Sequence, residues 1–125
     1  MTLNKLTTIL VVEEIESALP SLEKLGYRVT VRVPEQGTLG FVIAVSATGE
    51  LMLQTRASLA EDLPDVAKLR PAHLLYGEVE SVSSAKDELP DARVIVPRRE
   101  TFYGAIEAWL ELPGGQILGL SEHKS

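Results

Sequence analysis

The sequence predicts an α+β fold in which two βαβββ modules form a curved mixed sheet with helices on the outer face. The first observation behind this prediction is an internal repeat, because VEEIESA (12–18) and VESVSSA (79–85) share one pattern at an offset of 67 residues. The same offset pairs Leu51 with Leu118, late in each half. The second observation is that each half shows strand and helix patterns in the same order.

The first half opens with LTTILVV (6–12), whose β-branched and apolar residues predict a strand. Apolar residues at helical spacing from Ile15 onward predict a helix between Glu13 and Gly26, and glycine suits a helix C-terminus. Pro20 lies inside this helix and should kink or shorten it. Three predicted strands follow, and they are YRVTVRV (27–33), FVIAVSA (41–47) and ELMLQT (50–55).

Strict alternation in YRVTVRV places Val29, Val31 and Val33 on one face of their strand. The second half repeats the order of elements. Its predicted elements are strands over 73–79, 93–96, 105–112 and 116–122, and a short helix over 82–89. We therefore expect a single domain, because one module alone would leave its apolar sheet face uncovered. Its parts are module one at 1–55, a linker at 56–71 and module two at 72–125.

Composition and charge limit the classes of function. The chain has 125 residues, 45% of them hydrophobic, with a net charge of −6 and no cysteine. An acidic chain lacks the basic face of a nucleic-acid binder, and the missing thiols exclude disulfides and thiolate metal sites. The first residues suit a strand better than a signal peptide or a membrane span. We therefore expect a cytoplasmic protein with neither nucleic acid nor membrane as a partner.

Three segments resemble the glyoxalase/bleomycin resistance protein/extradiol dioxygenase superfamily, also called vicinal oxygen chelate proteins. Residues 6–29 resemble its opening strand, its helix and the Leu-Gly-Tyr entry to its second strand. GELMLQT (49–55) resembles its fourth strand, and 101–123 resembles its closing hairpin around a PGG turn. The resemblance covers essentially the whole chain. It implies the fold more strongly than any one activity, because this superfamily carries many chemistries.

The resemblance also implies where a metal would bind. In metal-dependent members, strand positions supply His, Gln or Glu ligands, and these positions fall here on Thr7, Met52, Leu74 and Gly119. None of these residues is a good ligand for a hard or borderline divalent ion. His73 would need a one-residue slip, which reverses the face of a strand. The sequence therefore predicts no metal and no cofactor.

The last hairpin supplies much of a predicted ligand-binding cleft. Ile106, Ala108 and Leu110 should pack under the helices, so Glu107 and Trp109 should face the cleft. Two interpretations of Trp109 stay open, a core residue or a flat wall against which a planar or cationic ligand stacks. The predicted cleft residues are Thr7, Glu50, Met52, Gln54, Leu74, Tyr76, Tyr103, Glu107, Trp109 and Gly119.

Two details of this cleft are expected from the local sequence. Gly119 should open space beside Trp109, because it has no side chain of its own. Arg98 and Arg99 should lie in a loop before Tyr103. There they would be exposed to solvent, or they would clamp an anionic group at the mouth of the cleft.

The resemblance and the missing ligands favour a metal-free homodimer that binds a small organic molecule. Members of the bleomycin-resistance branch, which confer antibiotic resistance, sequester a bulky, cationic, partly planar drug in this way. Glu50, Glu107 and Glu111 would supply the complementary charge. The alternative is a metal-dependent enzyme, either a glyoxalase-like lyase or isomerase or a ring-cleaving dioxygenase, so catalysis stays open. A third interpretation is an interaction or regulatory module with a vestigial cleft.

Overall fold

The computed structural model describes residues 2–123, which form two compact units. We call residues 8–73 the first unit, and residues 2–7 together with 74–123 the second unit. The first strand, β1 (Lys5–Val12), contributes its residues from Thr8 onward to the first unit. Every helix among the described residues falls short of the length and apolar character that a membrane span requires.

The first unit is a mixed four-stranded sheet with short helices. After β1 its elements are a 3₁₀ turn (Glu16–Ala18), α1 (Leu19–Lys24), β2 (Arg28–Val33), β3 (Phe41–Ser46), β4 (Gly49–Thr55), α2 (Arg56–Asp62) and α3 (Pro64–Ala67). The strand order is β2-β3-β4-β1. β1 pairs in parallel with β4, whereas β3 is antiparallel to both β2 and β4. This is the βαβββ order predicted for the first half.

The second unit has the same arrangement. Its elements are β5 (His73–Glu78), which belongs to this unit from Leu74 onward, α4 (Val82–Asp87), β6 (Arg93–Glu100), β7 (Ala105–Glu111) and β8 (Ile117–His123). The strand order is β5-β8-β7-β6, with β5 parallel to β8 and with β7 antiparallel to both of its neighbours. Thr8 lies opposite Leu51 in the first unit, and Leu75 lies opposite Leu118 in the second. Both partners therefore shift by the offset read from the sequence, which confirms the internal repeat.

Each unit packs one face of its sheet into a core with its helix. The buried core residues of the first unit are Ile15, Leu39, Val42 and Leu53. Those of the second unit are Val79, Val82, Ala85, Ala108, Leu110, Leu118 and Leu120. We call this side of each sheet the helix face, and the opposite side of the same sheet its far face. Because side chains alternate along a strand, the far face carries the residues between these core positions.

Pro20 shortens the helix predicted between Glu13 and Gly26, as the sequence predicts. α1 begins at Leu19, and Pro20 occupies its first turn, where the missing N–H costs no intrahelical hydrogen bond. Gly26 ends the helix in the left-handed region with φ 94°, and the Tyr27 amide donates to the Leu22 carbonyl at 2.9 Å. Proline therefore sets the start of the helix, and glycine sets its end.

The strict alternation predicted for β2 is wrong beyond Val29. Val29 lies opposite Ala44 but Val31 lies opposite Ile43, so β2 contains one extra residue between these pairs. Such a bulge moves the following side chains to the other face. Val29 packs against the helix-face core. Val31 and Val33 join the far face, where they are 41% and 46% exposed.

Candidate functional site

The predicted cleft residues are divided between the two units. Glu50, Met52 and Gln54 lie on β4 of the first unit. The others lie in the second unit, and they are Thr7, Leu74, Tyr76, Tyr103, Glu107, Trp109 and Gly119. In the second unit the structure brings several of these side chains together around one buried carboxylate, that of Glu107.

Glu107 reaches the far face because β7 alternates as the sequence predicts. Its neighbour Ala108 belongs to the helix-face core, as does Leu110. Glu107 and Trp109 therefore point to the opposite side of the sheet. Both are buried, with exposed fractions of 0% and 2%. A fully buried carboxylate is rare in proteins unless it is paired, so its partners decide what this region can do.

Four side chains donate hydrogen bonds to the Glu107 carboxylate. Its Oε1 accepts from Arg99 Nε at 3.0 Å and from Trp109 Nε1 at 3.0 Å, and Arg99 Nη2 lies 2.9 Å away. Its Oε2 accepts from the hydroxyls of Tyr76 and Tyr103, each at 2.5 Å. An ionised carboxylate can accept about four such bonds, so the protein itself occupies its acceptor sites. We call Glu107 and these four partners, with Ser121, the carboxylate cluster.

Burial of the Glu107 charge is offset by this complete set of donors. Taking an isolated carboxylate out of water is costly, and a guanidinium partner with further hydrogen bonds compensates for that cost. Arg99 is itself largely covered, with 21% of its side chain exposed. The carboxylate cluster is therefore a neutralised internal network, and Glu107 does not act as a free acid on the surface.

The two phenols of the cluster stay protonated because of where they lie. Burial, followed by the charge of Glu107, raises the pKa of Tyr76 well above its ordinary value. Burial, followed by the hydrogen bond to Glu107, raises the pKa of Tyr103 to about 12. The Tyr76 hydroxyl also lies 2.9 Å from Ser121 Oγ. Both tyrosines therefore act as hydrogen-bond donors at neutral pH, and Ser121 supports one of them.

The prediction that Arg98 and Arg99 lie in a loop is wrong. β6 continues to Glu100, with irregular register between Val94 and Val96 and again between Val96 and Arg99. The second irregularity sets Arg99 opposite Glu107 on β7. Arg99 therefore completes an internal ion pair instead of lining the mouth of a cleft. Arg98 pairs with Glu100 at 3.6 Å, and both of those side chains are exposed.

Gly119 makes room for the indole of Trp109. A β-carbon placed at Gly119 would lie 2.6 Å from the Trp109 ring, closer than real β-carbons approach other atoms. The space that Gly119 leaves is therefore filled by the tryptophan itself, and the expectation of open space beside Trp109 is wrong. The Tyr76 ring lies 6.0 Å from the indole at a tilted angle. Trp109 thus has a packing role within the second unit.

The far face of the first unit is apolar at the corresponding positions. Ile43 lies opposite Met52 and Phe41 lies opposite Gln54. Phe41, Ile43 and Met52 are only partly buried. Gln54 is buried, and its Nε2 donates to Ser58 Oγ at 3.2 Å. Glu50 continues the same face of β4, opposite Val45. The far face of the first unit is thus a partly exposed apolar surface, with the Gln54 amide at one end and with Glu50 and the exposed Arg28, both opposite Val45, at the other.

Ser121 was absent from the predicted cleft, and Arg99 was predicted in a different role, at the mouth of the cleft. Ser121 could have been found, because it alternates with Gly119 along β8 and so faces the same way. The role of Arg99 could not have been found, since it depends on irregular pairing that no short pattern encodes. Thr7 and Leu74, the other predicted residues of the second unit, are buried.

The donor set does not fit the metal that this fold holds in other proteins. The four positions implied by the resemblance carry Thr7, Met52, Leu74 and Gly119, of which only the threonine offers even a weak oxygen ligand. The Glu107 carboxylate already accepts bonds from four protein donors. Among residues 2–123, no group of three His, Cys, Asp or Glu side chains is placed to hold a metal ion.

Comparison with solved structures identifies the fold. A member of the glyoxalase/bleomycin resistance protein/dioxygenase superfamily from Vibrio splendidus 12B01 matches 97% of this chain and 99% of its own, with a TM-score of 0.67 at 13% identity. The chain has the glyoxalase/bleomycin resistance fold. This confirms the fold predicted from the sequence.

Two further structures agree with this assignment. A hypothetical protein from Bacillus halodurans C-125 matches 99% of the chain and 95% of its own length, with a TM-score of 0.69 at 19% identity. A variant of homoprotocatechuate 2,3-dioxygenase from B. fuscum matches 98% of the chain but only 34% of its own, with a TM-score of 0.56 at 13% identity. No family model and no curated protein matches the sequence.

Proposed function

We propose that the protein binds a small organic molecule without a divalent metal, and that the ligand lies on the far face of the first unit's sheet. The observation that carries this proposal is the chemistry of the far faces. The second unit uses its polar groups on one another, in the carboxylate cluster. The first unit leaves apolar side chains partly exposed, and a surface of this kind suits the flat apolar part of a ligand.

The exposed apolar surface of the first unit supports this choice of face. Phe41, Ile43 and Met52 are only partly buried, and the bulge in β2 adds Val31 and Val33 to the same side. Burial of apolar area releases roughly 25 cal/mol per Å², so contact with a planar ligand would provide most of the affinity. The aromatic ring of Phe41 offers the stacking partner that Trp109, being buried, does not.

Fewer carboxylates than the sequence predicted are available to attract a cationic ligand. Glu107 is paired with Arg99, and Glu111 is paired with Arg93 at 2.7 Å. These two carboxylates are therefore already neutralised by the protein. The net charge of −6 supports a cationic ligand, including the antibiotic-like version of the proposal.

Calorimetry with matched variants tests this proposal. Bleomycin and a panel of planar aromatic compounds are titrated into the wild type, Val31→Asn and Val94→Asn. The two valines are 41% and 47% exposed, and only Val31 lies on the far face of the first unit. We expect Val31→Asn to weaken binding about tenfold, since a polar amide opposes apolar contact without adding charge, and Val94→Asn to leave it unchanged. Absence of heat with bleomycin at high micromolar concentration would count against the drug-binding version.

The competing proposal is a metal-dependent lyase, isomerase or dioxygenase. It is favoured by the fold that the chain shares with homoprotocatechuate 2,3-dioxygenase. Elemental analysis of the dialysed protein separates the two proposals. Stoichiometric zinc, nickel, manganese or iron would support the enzyme and reject metal-free binding.

We also propose that the protein is a homodimer, as members of the bleomycin-resistance branch are, and that it is located in the cytoplasm. Light scattering at tens of micromolar tests the dimer. A mass near 27 kDa is expected, about twice the 13.6 kDa of the chain, and a monomer under these conditions would reject this part of the proposal.

A further inference from the structure

A cavity of about 350 Å³ lies in the first unit between the end of β1 and the helices α2 and α3. This volume lies at the lower end of the range for small-molecule sites. The cavity is formed within residues 8–73, and none of its lining residues belongs to the far face. It is lined by Glu13, Arg56, Ala57, Leu59, Ala60, Ala67 and Arg70. Two guanidinium groups and small apolar side chains thus surround one space.

Arg56 is held in place at the wall of this cavity. Its Nη1 donates to the Pro71 carbonyl at 3.1 Å, and its Nε lies 3.1 Å from Glu13 Oε1. Glu13 is 83% exposed, so its ion pair with Arg56 contributes little to stability. A carboxylate is therefore already bound to Arg56, and another carboxylate can replace it at small cost.

Arg70 supplies the second charge and has an uncommon backbone conformation. Its φ of 50° lies in the left-handed region, which residues other than glycine rarely adopt. The Arg70 amide donates to the Ala67 carbonyl at 3.0 Å, which ends α3 beside the cavity. Within the described part of the chain, no ion pair or hydrogen bond joins its guanidinium to another residue. Backbone conformations of this kind concentrate at binding sites.

The geometry points to a binding site for a small organic carboxylate with a short apolar body. The ligand carboxylate replaces Glu13 on Arg56 and gains Arg70 as a second partner, since guanidinium groups match carboxylates in shape and charge. The apolar body packs on Ala57 and Ala60, whose small side chains leave the space that the cavity shows. This site is separate from the far face and does not depend on the proposed function.

Titration with benzoate, followed by amide chemical shifts of the ¹⁵N-labelled protein, tests this site. Benzamide has the same ring without the charge, and inorganic phosphate has charge without the ring. We expect benzoate to shift the amides of Ala57, Ala67 and Arg70, and both comparison compounds to bind at least about fivefold more weakly. Equal binding of benzamide or phosphate would overturn the assignment of the ligand class.

Three variants identify the residues that bind the carboxylate. Arg70→Gln should weaken benzoate binding about tenfold, and it should fold normally because its side chain is exposed. Glu13→Gln should tighten binding a few-fold, because it removes the competing carboxylate from Arg56. Arg98→Gln, an exposed arginine elsewhere, serves as the control. Wild-type affinity in Arg70→Gln, or weaker binding in Glu13→Gln, would overturn the proposal.

Discussion

The far faces of the two units share a strand register and differ in chemistry. At one pair of matching positions, Phe41 lies opposite Gln54 in the first unit, and Glu107 lies opposite Ser121 in the second. The aromatic ring in the first unit is partly exposed, whereas the carboxylate in the second is fully buried. The same backbone position therefore supports either an apolar contact surface or a closed polar network.

A second pair of positions shows how the network is accommodated. Ile43 lies opposite Met52 in the first unit, and Trp109 lies opposite Gly119 in the second. Two medium side chains in one unit correspond to the largest and the smallest residue in the other. Gly119 admits the indole, and the indole N–H then reaches Glu107. The residues of the second unit thus depend on one another for their contacts.

The largest expected effect on stability is the loss of the buried Glu107 carboxylate in the second unit. Glu107→Ala leaves the Arg99 guanidinium and two phenols without their acceptor, so we expect a loss of about 3–5 kcal/mol in the free energy of unfolding. Glu111→Ala removes a carboxylate whose partner Arg93 is 59% exposed, and its cost should stay below about 1 kcal/mol. Urea denaturation followed by circular dichroism measures both. Equal losses would contradict the view that the cluster dominates the second unit.

The next largest effect is expected at Gly119, which leaves room for the indole of Trp109. Gly119→Ala forces the Trp109 ring to move, which should cost about 1–3 kcal/mol and shift the emission of this single tryptophan. Met52→Ala at the matching position of the first unit only trims a partly exposed side chain. It should cost about 1 kcal/mol and leave the emission unchanged. An unshifted emission in Gly119→Ala would show that the ring does not depend on this glycine.

The phenols should give the second unit a stability limit at alkaline pH. The pKa of Tyr103 is raised from 10.0 to about 12 by burial and by its bond to Glu107. A raised pKa means that the folded state holds the proton more tightly, so this stability is complete below about pH 10 and is lost as the pH rises towards 12. Urea denaturation at pH 9 and pH 11 measures the loss, which Tyr103→Phe should reduce. An equal loss in the variant would assign the effect to other groups.

The smallest effect should appear at acid pH and in the first unit. The Glu16 carboxylate accepts a bond from the Leu39 amide at 2.8 Å, and this bond lowers the pKa of Glu16 below its ordinary value of 4.5. A lowered pKa gives stability that is complete above about pH 4.5 and is lost as the pH falls further. Glu16→Gln keeps an acceptor without a titrating group, so its unfolding free energy should depend less on pH between 5 and about 3. Identical acid profiles would exclude this bond as a cause.

Much of the fold could be predicted from the sequence, because it follows from local patterns. The 67-residue repeat fixed the order of elements, and its register is the one observed between Thr8 and Leu51 and between Leu75 and Leu118. The face of Glu107 also followed from simple alternation along β7. These features depend on hydrophobic periodicity, which can be read from the sequence of one strand alone.

The contacts of the candidate site could be predicted only in part. The position of Arg99 depends on irregular pairing between β6 and β7, and the face of Val31 depends on a bulge in β2. A bulge is a feature of the pairing between two strands, so the pattern of one strand does not reveal it. The sequence identified Glu107 and Trp109 as residues of one face. It predicted that they contact a ligand, because the pattern of β7 does not show their partners within the protein.

The bulges also affect how copies of the chain meet in concentrated solution. β2 lies at one end of the first unit's sheet, and β6 lies at one end of the second unit's sheet. A straight terminal strand offers a continuous row of amide and carbonyl groups, which can template aggregation with another chain. Here β2 is interrupted after Val29, and β6 is interrupted after Val94 and again near Pro97, which has no N–H to offer. Because the irregularities that shape the far faces also interrupt these edges, we expect them to disfavour fibre-like association there.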